Sequence, residues 1–348
     1  MHTEQISTTS TTTSTTTLTT DDEFLSDAIA AVAARSSDAI DLFDVVIGGT
    51  RIRVTIADER VAAWARPALA WLRESPHGDA DVQLHAVSGM PFPAPPWSAA
   101  DYADRHRISH LTEGQVVATF DVERRVLNMY DAATRRGVWW CHDVDSLPDW
   151  EFGAPLRSLL TWALRASQVH LVHAAGVGRA GHGGVLISGR GGSGKSTSTL
   201  ACIASGMTTV GDDYCAVDLG SSPIVHGVYC LAKVLPDSIG GSLADLGTAH
   251  TQRDDGKVHV GLGNSMCRSL AIRALVLPTV AERTGELQPL RGRDAFYRIA
   301  PSTMLQSELG GSALFAAMAR LTEAVPAFTL DVGPDVDRVV AALESLLA

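Results

Sequence analysis

Apolar and polar residues alternate in short runs through the first half of the chain. Such alternation is typical of strands with one buried face. It predicts strands at residues 43–47, 52–56, 82–87, 115–121, 126–130 and 138–142. The first two strands are separated by Gly48-Gly49 and form a predicted hairpin. Residues 61–72 form a predicted amphipathic helix with a break near Pro67.

After residue 150 the pattern changes to short continuous apolar runs and to helical spacing of apolar residues. Short continuous runs predict buried strands, and helical spacing predicts helices with one apolar side. We expect strands at residues 170–177, 185–188, 207–211, 271–277 and 328–332, with Pro278 ending the fourth of them. We expect helices at residues 155–166, 196–205, 306–325 and 335–347.

These patterns divide the chain into three parts. Residues 1–21 are mostly Ser and Thr and bury too little apolar surface to offset the entropy of ordering, so they form a predicted disordered tail. Residues 22–150, beginning with a short helix at 24–34, form a predicted N-terminal α+β accessory domain. Residues 151–348 form a predicted α/β domain.

Composition narrows the classes of function. The chain has 348 residues and a formal net charge of −11, and no run of Lys or Arg suggests binding of nucleic acid. No apolar stretch approaches the roughly 20 residues of a membrane helix, and the N-terminus lacks the pattern of a secretory signal. The five cysteines are scattered without a C-x-x-C pair, which favours reduced thiols. We therefore expect a cytoplasmic protein without a nucleic-acid or membrane partner.

One motif dominates the candidate chemistry. Residues 189–196 read G-x-x-x-x-G-K-S and lie between the predicted strand 185–188 and the predicted helix 196–205. This is the pattern and the context of a phosphate-binding loop, whose amides and helix N-terminus favour an anion. Its predicted nucleotide-binding residues are Gly189, Arg190, Gly191, Gly192, Ser193, Gly194, Lys195, Ser196 and Thr197.

Two side chains of this loop have distinct predicted roles. Lys195 is expected to reach the β- and γ-phosphates of a nucleotide, and the Ser196 hydroxyl is expected to ligate Mg²⁺. Without a phosphate, we expect Lys195 to be solvated.

A pair of carboxylates follows one helix and one strand later. Asp212 lies 17 positions after Lys195, and Asp213 is adjacent to it. A lone Asp-Asp pair is more often an Asx turn that closes a strand. This spacing after a phosphate-binding loop favours a role in the site instead.

The histidine pairs do not indicate a metal site. His106 and His110 have i, i+4 spacing but lack the Glu of the H-E-x-x-H motif. His170 and His173 are expected to point to opposite faces of one strand.

The chain resembles a known family over residues 170–218, where it reads LVHAAGV…GVLISGRGGSGKSTSTLACIASGMTTVGDDYCAV. This segment is similar to the C-terminal kinase core of HPr kinase/phosphorylase. It is closer to the HPr-kinase-related proteins often found near bacterial peptide-modification genes. The resemblance implies a P-loop kinase core with a fold similar to phosphoenolpyruvate carboxykinase.

The resemblance also implies roles for individual residues. His173 matches a histidine near the transferred phosphate, and Lys195 and Ser196 match the loop pair. Asp212 and Asp213 match the aspartates that serve Mg²⁺ and act as base, and it stays open which does which. We take Ser196 and Asp212 as the metal site. Two weaker similarities are Lys233 and the segment 297–303, which resembles a helical segment of the relatives.

Two departures separate the chain from true HPr kinases. Residues Val225 to Val228 stand where those enzymes have a Glu-Val-Arg-Gly-like stretch, and the loop ends Lys-Ser-Thr instead of Lys-Ser-Glu. Both differences argue against HPr as the acceptor and against the reverse phosphorylase reaction.

The expected function is that of a kinase dependent on ATP and Mg²⁺ that phosphorylates a Ser/Thr-type hydroxyl. A peptide or protein acceptor is favoured, for example the precursor of a peptide natural product. The first domain is large enough to hold an extended peptide by strand addition, although it would equally serve in a homo-oligomer, which we also expect. The alternatives are a kinase of a free serine-like alcohol and a non-catalytic nucleotide sensor or scaffold.

Overall fold

The computed structural model describes residues 13–35, 39–89, 92, 94–104, 106–235, 249–252, 256–306 and 311–348. Within them the chain is mixed α/β with several sheets, in agreement with the predicted α/β class. The α-helices of the described residues are α1 Thr13–Arg35, α2 Glu59–Leu69, α3 Asp149–Phe152, α4 Arg157–Leu164, α5 Lys195–Ala204, α6 Gly292–Gln306, α7 Gly311–Ala324 and α8 Val336–Ser345.

Three predicted helices are α4, α5 and α8, whose ends differ from the prediction by one or two residues. The helix predicted at 306–325 corresponds to α7, and residues 307–310 lie outside the described part. No helix of the described ranges combines the length and the apolar character that crossing a membrane requires.

The first half of the chain forms a six-stranded sheet. Its strands are β1 Asp41–Ile47, β2 Thr50–Ile56, β3 Val82–Ser88, β4 Val116–Asp121, β5 Val126–Asp131 and β6 Arg136–Cys141, in the order β1-β2-β3-β6-β5-β4. The predicted hairpin is confirmed, since β1 and β2 pair antiparallel around Gly48 and Gly49, which both have positive φ. β3 is parallel to β2 and β6. The segment that contains α2 is therefore a crossover connection, which brings the chain back to the end of the sheet at which β2 begins.

The predicted disordered tail is corrected at residues 13–21, because α1 begins at Thr13. Asp21 is buried and hydrogen-bonds with the Trp97 indole nitrogen (2.9 Å) and the His110 ring (2.7 Å). Phe24 is buried beside it. Once tertiary contacts anchor a turn, extending the helix is cheaper than nucleating it, an effect that composition does not reveal. Residues 1–12 lie outside the described part of the chain.

The predicted break at Pro67 is wrong, because α2 continues to Leu69. The Asp58 side chain caps the helix by accepting from the backbone N–H groups of the first turn. The carbonyl that loses its partner at Pro67 belongs to Ala63, which is exposed, so water can satisfy it. The helix therefore tolerates the proline close to its end.

The second half of the chain contributes the remaining strands. They are β7 Val169–Val172, β8 Ala174–Arg179, β9 Gly183–Ser188, β10 Thr208–Gly211, β11 Cys215–Asp218, β12 Ile224–Gly227, β13 Leu231–Val234, β14 Ala249–Gln252, β15 Val258–Gly261, β16 Ser269–Val280, β17 Leu287–Leu290 and β18 Ala327–Val332. Nine of them form a mixed sheet with the main order β10-β8-β9-β16-β12-β11-β7, in which β18 pairs with β16 and β17. β13, β15 and β14 form a separate small sheet. β9 lies inside the large sheet, because it pairs with β16 on one side and with β8 on the other. β9 and β18 are both parallel to β16.

The single strand predicted at residues 170–177 is wrong, since the chain forms β7 and β8 with His173 between them. β7 pairs with β11, whereas β8 pairs with β9 and β10, so the chain changes neighbours at this residue. The apolar pattern continues across the break and gives no sign of it. As a result His173 lies at a junction between strands instead of within one.

The strand β16 continues through Pro278 to Val280, although the sequence predicted that it would end there. Its pairing with β9 ends at Val276, while its pairing with β18 continues to Val280. A proline is tolerated because this stretch is paired on one side only.

The helix α4 connects the two large sheets. It contacts β5 and β6 of the first sheet and β7 of the second. A cluster of buried apolar residues extends from Phe43 in β1 through Leu159 in α4 to Leu231 in β13. The first half therefore packs directly on the second, and the domain boundary at residues 150 and 151 stays a prediction.

Candidate active site

The phosphate-loop motif lies between a strand and a helix, as its spacing predicts. β9 ends at Ser188, and α5 begins at Lys195. In the loop, Gly192 and Gly194 have φ values of +78° and +96°, a conformation that disfavours residues with a Cβ. A Cβ at Gly194 would also lie 3.0 Å from Val332 Cγ1, so Val332 would have to move by a few tenths of an ångström. The unpaired amides at the start of α5, with the helix dipole, favour an anion at this point.

The loop faces a cavity of about 790 Å³, to which both halves of the chain contribute. This volume is within the range of small-molecule sites. The second half contributes His173, Asp213 and the loop residues Arg190, Gly191, Gly192, Gly194, Lys195, Ser196 and Thr197. The first half contributes Asp104, His106, Arg107 and Trp150. Of the predicted site residues, Gly189, Ser193 and Asp212 lie behind the lining.

The cavity is locally cationic in a chain of net charge −11. Its carboxylates are Asp104 and Asp213, and its cations are Arg107, Arg157, Arg190, Lys195, Lys233 and Lys257. Such a concentration of positive charge raises the local concentration of anions. The lining therefore suits a ligand with several negative charges.

Lys195 is buried, so the expectation that it is solvated was wrong. Its side chain is 7% exposed. Its Nζ donates to Asp213 Oδ1 (2.9 Å) and to the main-chain carbonyl of Asp212 (3.2 Å). Burial alone lowers the pKa of a lysine, but the charges of Asp213 and Asp212 outweigh it and raise the pKa of Lys195. The side chain is held as a cation at the start of α5.

Asp213 receives two hydrogen bonds on the same carboxylate oxygen. His173 Nε2 lies 2.8 Å and Lys195 Nζ 2.9 Å from Asp213 Oδ1. Burial raises the pKa of Asp213, but the charge of Lys195 and the hydrogen bond from His173 together lower it well below its ordinary value. The side chain is 39% exposed and lines the cavity. An ionised and accessible carboxylate has the geometry to accept a proton from a bound hydroxyl.

Asp212 differs from its neighbour because it has no partner. It is 1% exposed, and neither carboxylate oxygen has a hydrogen-bond partner among the described residues. Burial raises the pKa of Asp212, Lys195 opposes the shift, and the charge of Asp213 adds to it. The Ser196 hydroxyl and the backbone N–H of Lys233 are close enough to lower this pKa without satisfying the carboxylate.

These residues fit the predicted metal site. Unused oxygens of a buried carboxylate, next to a hydroxyl, are ligands that suit Mg²⁺. Magnesium usually takes one or two protein ligands and completes its shell with water and substrate phosphates. The described residues contain no group of three His, Cys, Asp or Glu that could hold a metal ion.

His173 is held by a residue that the motif analysis missed. Its Nδ1 lies 2.6 Å from Ser302 Oγ in α6, and its main-chain N–H donates to Thr303 Oγ1 (3.4 Å). Ser302 Oγ is also 3.3 Å from the carbonyl oxygen of Gly189. The segment 297–303 was noted only as similar to a helical segment of relatives. No sequence pattern signals a contact between residues 129 positions apart.

A second network that the sequence did not predict adjoins Asp213. Arg157 of α4 donates to the Tyr214 hydroxyl (2.6 Å), which hydrogen-bonds with Gln306 of α6. Burial raises the pKa of Tyr214 to about 12, so its hydroxyl is neutral at physiological pH. All three side chains line the cavity. The network connects the helix that joins the two sheets to the wall of the site.

The histidine pairs occupy separate places. His106 lines the cavity, whereas His110 pairs with Asp21 of α1. His170 lies in β7 opposite Val217 of β11, and His173 lies in the site.

Neither the protein-family models nor the curated proteins give a match to this chain. The site is therefore interpreted from its own residues. They form a strand–loop–helix element in a mixed α/β fold, with a buried carboxylate and an accessible carboxylate beside it.

Proposed function

We propose that this chain is a kinase dependent on ATP and Mg²⁺, of the HPr-kinase-related P-loop type. It transfers the γ-phosphoryl group to a Ser/Thr-type hydroxyl on a peptide or protein, such as the precursor of a peptide natural product. The observation that carries the proposal is the contact of Asp213 with both Lys195 of the loop and His173. The candidate base Asp213, the candidate phosphate-binding residue Lys195 and His173 thus line the same cavity.

The nucleotide is bound by the loop. Backbone amides of the loop and the N-terminus of α5 hold the phosphates, and Lys195 turns from Asp213 toward the β- and γ-phosphates. Ser196 and Asp212 hold Mg²⁺, which neutralises phosphate charge when bound. The cationic lining of the cavity supports the binding of a polyphosphate.

The transfer step needs a base at the acceptor hydroxyl. The acceptor oxygen forms a bond to the γ-phosphorus, the bond from that phosphorus to the bridging oxygen of ADP breaks, and the acceptor proton moves to Asp213. When Lys195 bonds to phosphate, it no longer lowers the pKa of Asp213 as strongly, so the carboxylate becomes a better base. His173 keeps the carboxylate oriented through the Nε2 contact.

The apolar part of the lining favours a peptide over a small alcohol. Trp150, Leu235 and Leu305 line the cavity, yet they are 54%, 55% and 87% exposed. A small polar alcohol leaves these surfaces in water, whereas the side chains of a peptide would cover them. With ATP as the donor, the cytoplasm is the compartment we propose, and homo-oligomerisation remains a prediction.

The proposal is tested by offering γ-labelled ATP with two sets of acceptors and finding the label by mass spectrometry. One set contains Ser/Thr peptides with apolar neighbours, and the other contains free serine, free threonine and small alcohols. We expect label on peptide hydroxyls and none with the Asp213→Asn variant. Label on free amino acids or alcohols alone would reject the peptide acceptor, and binding of ATP without any transfer would favour the sensor or scaffold.

A further inference from the structure

We propose that Ser302 is a positioning residue of the phosphoryl-transfer site, fixing the His173 ring against Asp213 and tying it to the phosphate loop. This inference rests on the proposed function for its role in transfer, but the contacts are independent of it. Ser302 Oγ lies 2.6 Å from His173 Nδ1 and 3.3 Å from the carbonyl oxygen of Gly189. One hydroxyl thus joins α6, the junction between β7 and β8, and the first residue of the loop.

The hydrogen atoms in this network can be assigned from the donors and acceptors. Lys195 Nζ donates to Asp213 Oδ1, so this oxygen is an acceptor, and the hydrogen in its 2.8 Å contact belongs to His173 Nε2. Ser302 has one hydroxyl hydrogen and two acceptors within reach. If it donates to Nδ1, the imidazole is neutral. If it donates to Gly189, Nδ1 carries a hydrogen that Ser302 accepts, and the imidazole is a cation.

Both arrangements leave Nε2–H directed at Asp213. The hydroxyl of Ser302 therefore holds the ring in one orientation in both protonation states, which a side chain that only donates or only accepts does not do. Without this hydroxyl, Nδ1 loses its partner and the ring keeps only one of its two side-chain hydrogen bonds. The ring is then free to turn away from Asp213, and the contact that orients the carboxylate weakens.

The consequence is a specific separation of turnover from nucleotide binding. Ser302 does not line the cavity and acts on the base only through His173. Its loss should impair the orientation of Asp213 more than nucleotide binding, because its contact with the Gly189 carbonyl (3.3 Å) is longer than its contact with His173 (2.6 Å). A residue that merely supports the fold would instead weaken nucleotide affinity and turnover together.

The test compares Ser302→Ala with Ser302→Thr, which keeps a hydroxyl, and with Ser345→Ala as a matched control. The Ser345 hydroxyl, like that of Ser302, makes a hydrogen bond within the protein: it donates to the Ala342 carbonyl in α8. Neither Ser345 nor Ala342 lines the cavity. We expect Ser302→Ala to lower kcat by about 10- to 100-fold, the effect of a misplaced catalytic group. We expect its ATP affinity to stay within about threefold of the parent chain, Ser302→Thr to recover most of kcat, and the control to match the parent.

A spectroscopic measurement makes the test independent of activity. The NMR signals of the His173 ring should show an Nε2 hydrogen that exchanges slowly with water in the parent chain and a faster exchange in Ser302→Ala. Unchanged kcat or unchanged ring signals in Ser302→Ala overturn the proposal, even if the variant is less stable to heat. If the parent chain phosphorylates no acceptor, the proposed function fails, and the ring signals alone then decide whether Ser302 fixes His173.

Discussion

Two buried aspartates show how the two halves of the molecule use the same side chain differently. In the first sheet, Asp44 of β1 is fully buried and accepts from Arg53 (2.8 and 3.0 Å), from Arg51 (3.4 Å) and from the backbone of His77 (3.3 Å). In the second half, Asp212 is 1% exposed and has no hydrogen-bond partner among the described residues.

The pKa values move in opposite directions for a physical reason. Burial raises the pKa of Asp44, but hydrogen bonds from Arg53 and the backbone of His77 reverse the shift and lower it. Burial also raises the pKa of Asp212, and the charge of Lys195 does not reverse this shift. The first carboxylate is compensated and structural. The second is a buried carboxylate whose desolvation Lys195 offsets only in part, which costs stability and so points to a ligand.

The largest effect is expected from a third aspartate, Asp213, which is ionised like Asp44 but lines the cavity. Asp213→Asn removes the candidate base, so we expect phosphoryl transfer to fall by about 1,000-fold while ATP binding persists. Steady-state kinetics with a calorimetric ATP titration would measure both. Asp44→Asn is the matched control, and its turnover should be unchanged while it is folded. Normal phosphoryl transfer by Asp213→Asn would contradict the role of Asp213 as the base and would favour the alternative that the Asp-Asp pair only forms a turn.

The next effect is on stability. Asp44→Asn breaks a buried ion pair, and we expect the free energy of unfolding at pH 7 to fall by about 3 kcal/mol. Because the folded pKa of Asp44 lies below the ordinary value of 3.8, its contribution is present above that pH. It is lost as the pH falls through the folded pKa. Urea unfolding at pH 7 and at lower pH checks this, and a pH-independent difference would contradict it.

The smallest effect has the opposite sign. Asp212→Asn removes a buried carboxylate whose desolvation Lys195 offsets only in part, and we expect the free energy of unfolding in Mg²⁺-free buffer at pH 7 to rise by about 1 kcal/mol. The folded pKa of Asp212 is raised, so this gain is absent below the ordinary value of 3.8, grows as the pH rises from 3.8 toward the folded pKa, and is complete above it.

The same variant tests the metal site. The Mg²⁺ concentration that gives half-maximal turnover should increase in Asp212→Asn, because one ligand has lost its charge. A destabilised variant with an unchanged Mg²⁺ requirement would mean that Asp212 is structural, like Asp44.

The sequence predicted those features whose cause is local. The phosphate loop and the carboxylate pair were found because strand, loop, helix and strand follow one another within 30 residues, from Gly184 to Asp213. The hairpin around Gly48-Gly49 was found for the same reason. In each case spacing and residue type along the chain already determine the conformation.

The features that were missed depend on contacts between distant segments. Ser302 contacts His173 because α6 packs beside the loop. The Lys195 side chain lies against Asp213, which the chain brings back next to it after one helix and one strand. The break between β7 and β8 comes from a change of neighbouring strands. Periodicity within a segment does not encode such neighbours. For that reason the sequence did not show which of Asp212 and Asp213 is buried and which lines the cavity.

The proposal that Lys195 binds the nucleotide is tested most directly by calorimetric titration of ATP and Mg²⁺ into the unsubstituted chain and into Lys195→Ala. Arg338→Ala is the matched control, since Arg338 is an exposed cation of α8 that does not line the cavity. Circular dichroism should first establish that the lysine variant is folded, because it leaves Asp213 without its cation. We expect the unsubstituted chain and the control to bind alike. Affinity should be about 10- to 100-fold weaker in Lys195→Ala, the loss expected for charge-assisted hydrogen bonds to phosphate. Equal affinity and equal turnover in all three chains would contradict the nucleotide site.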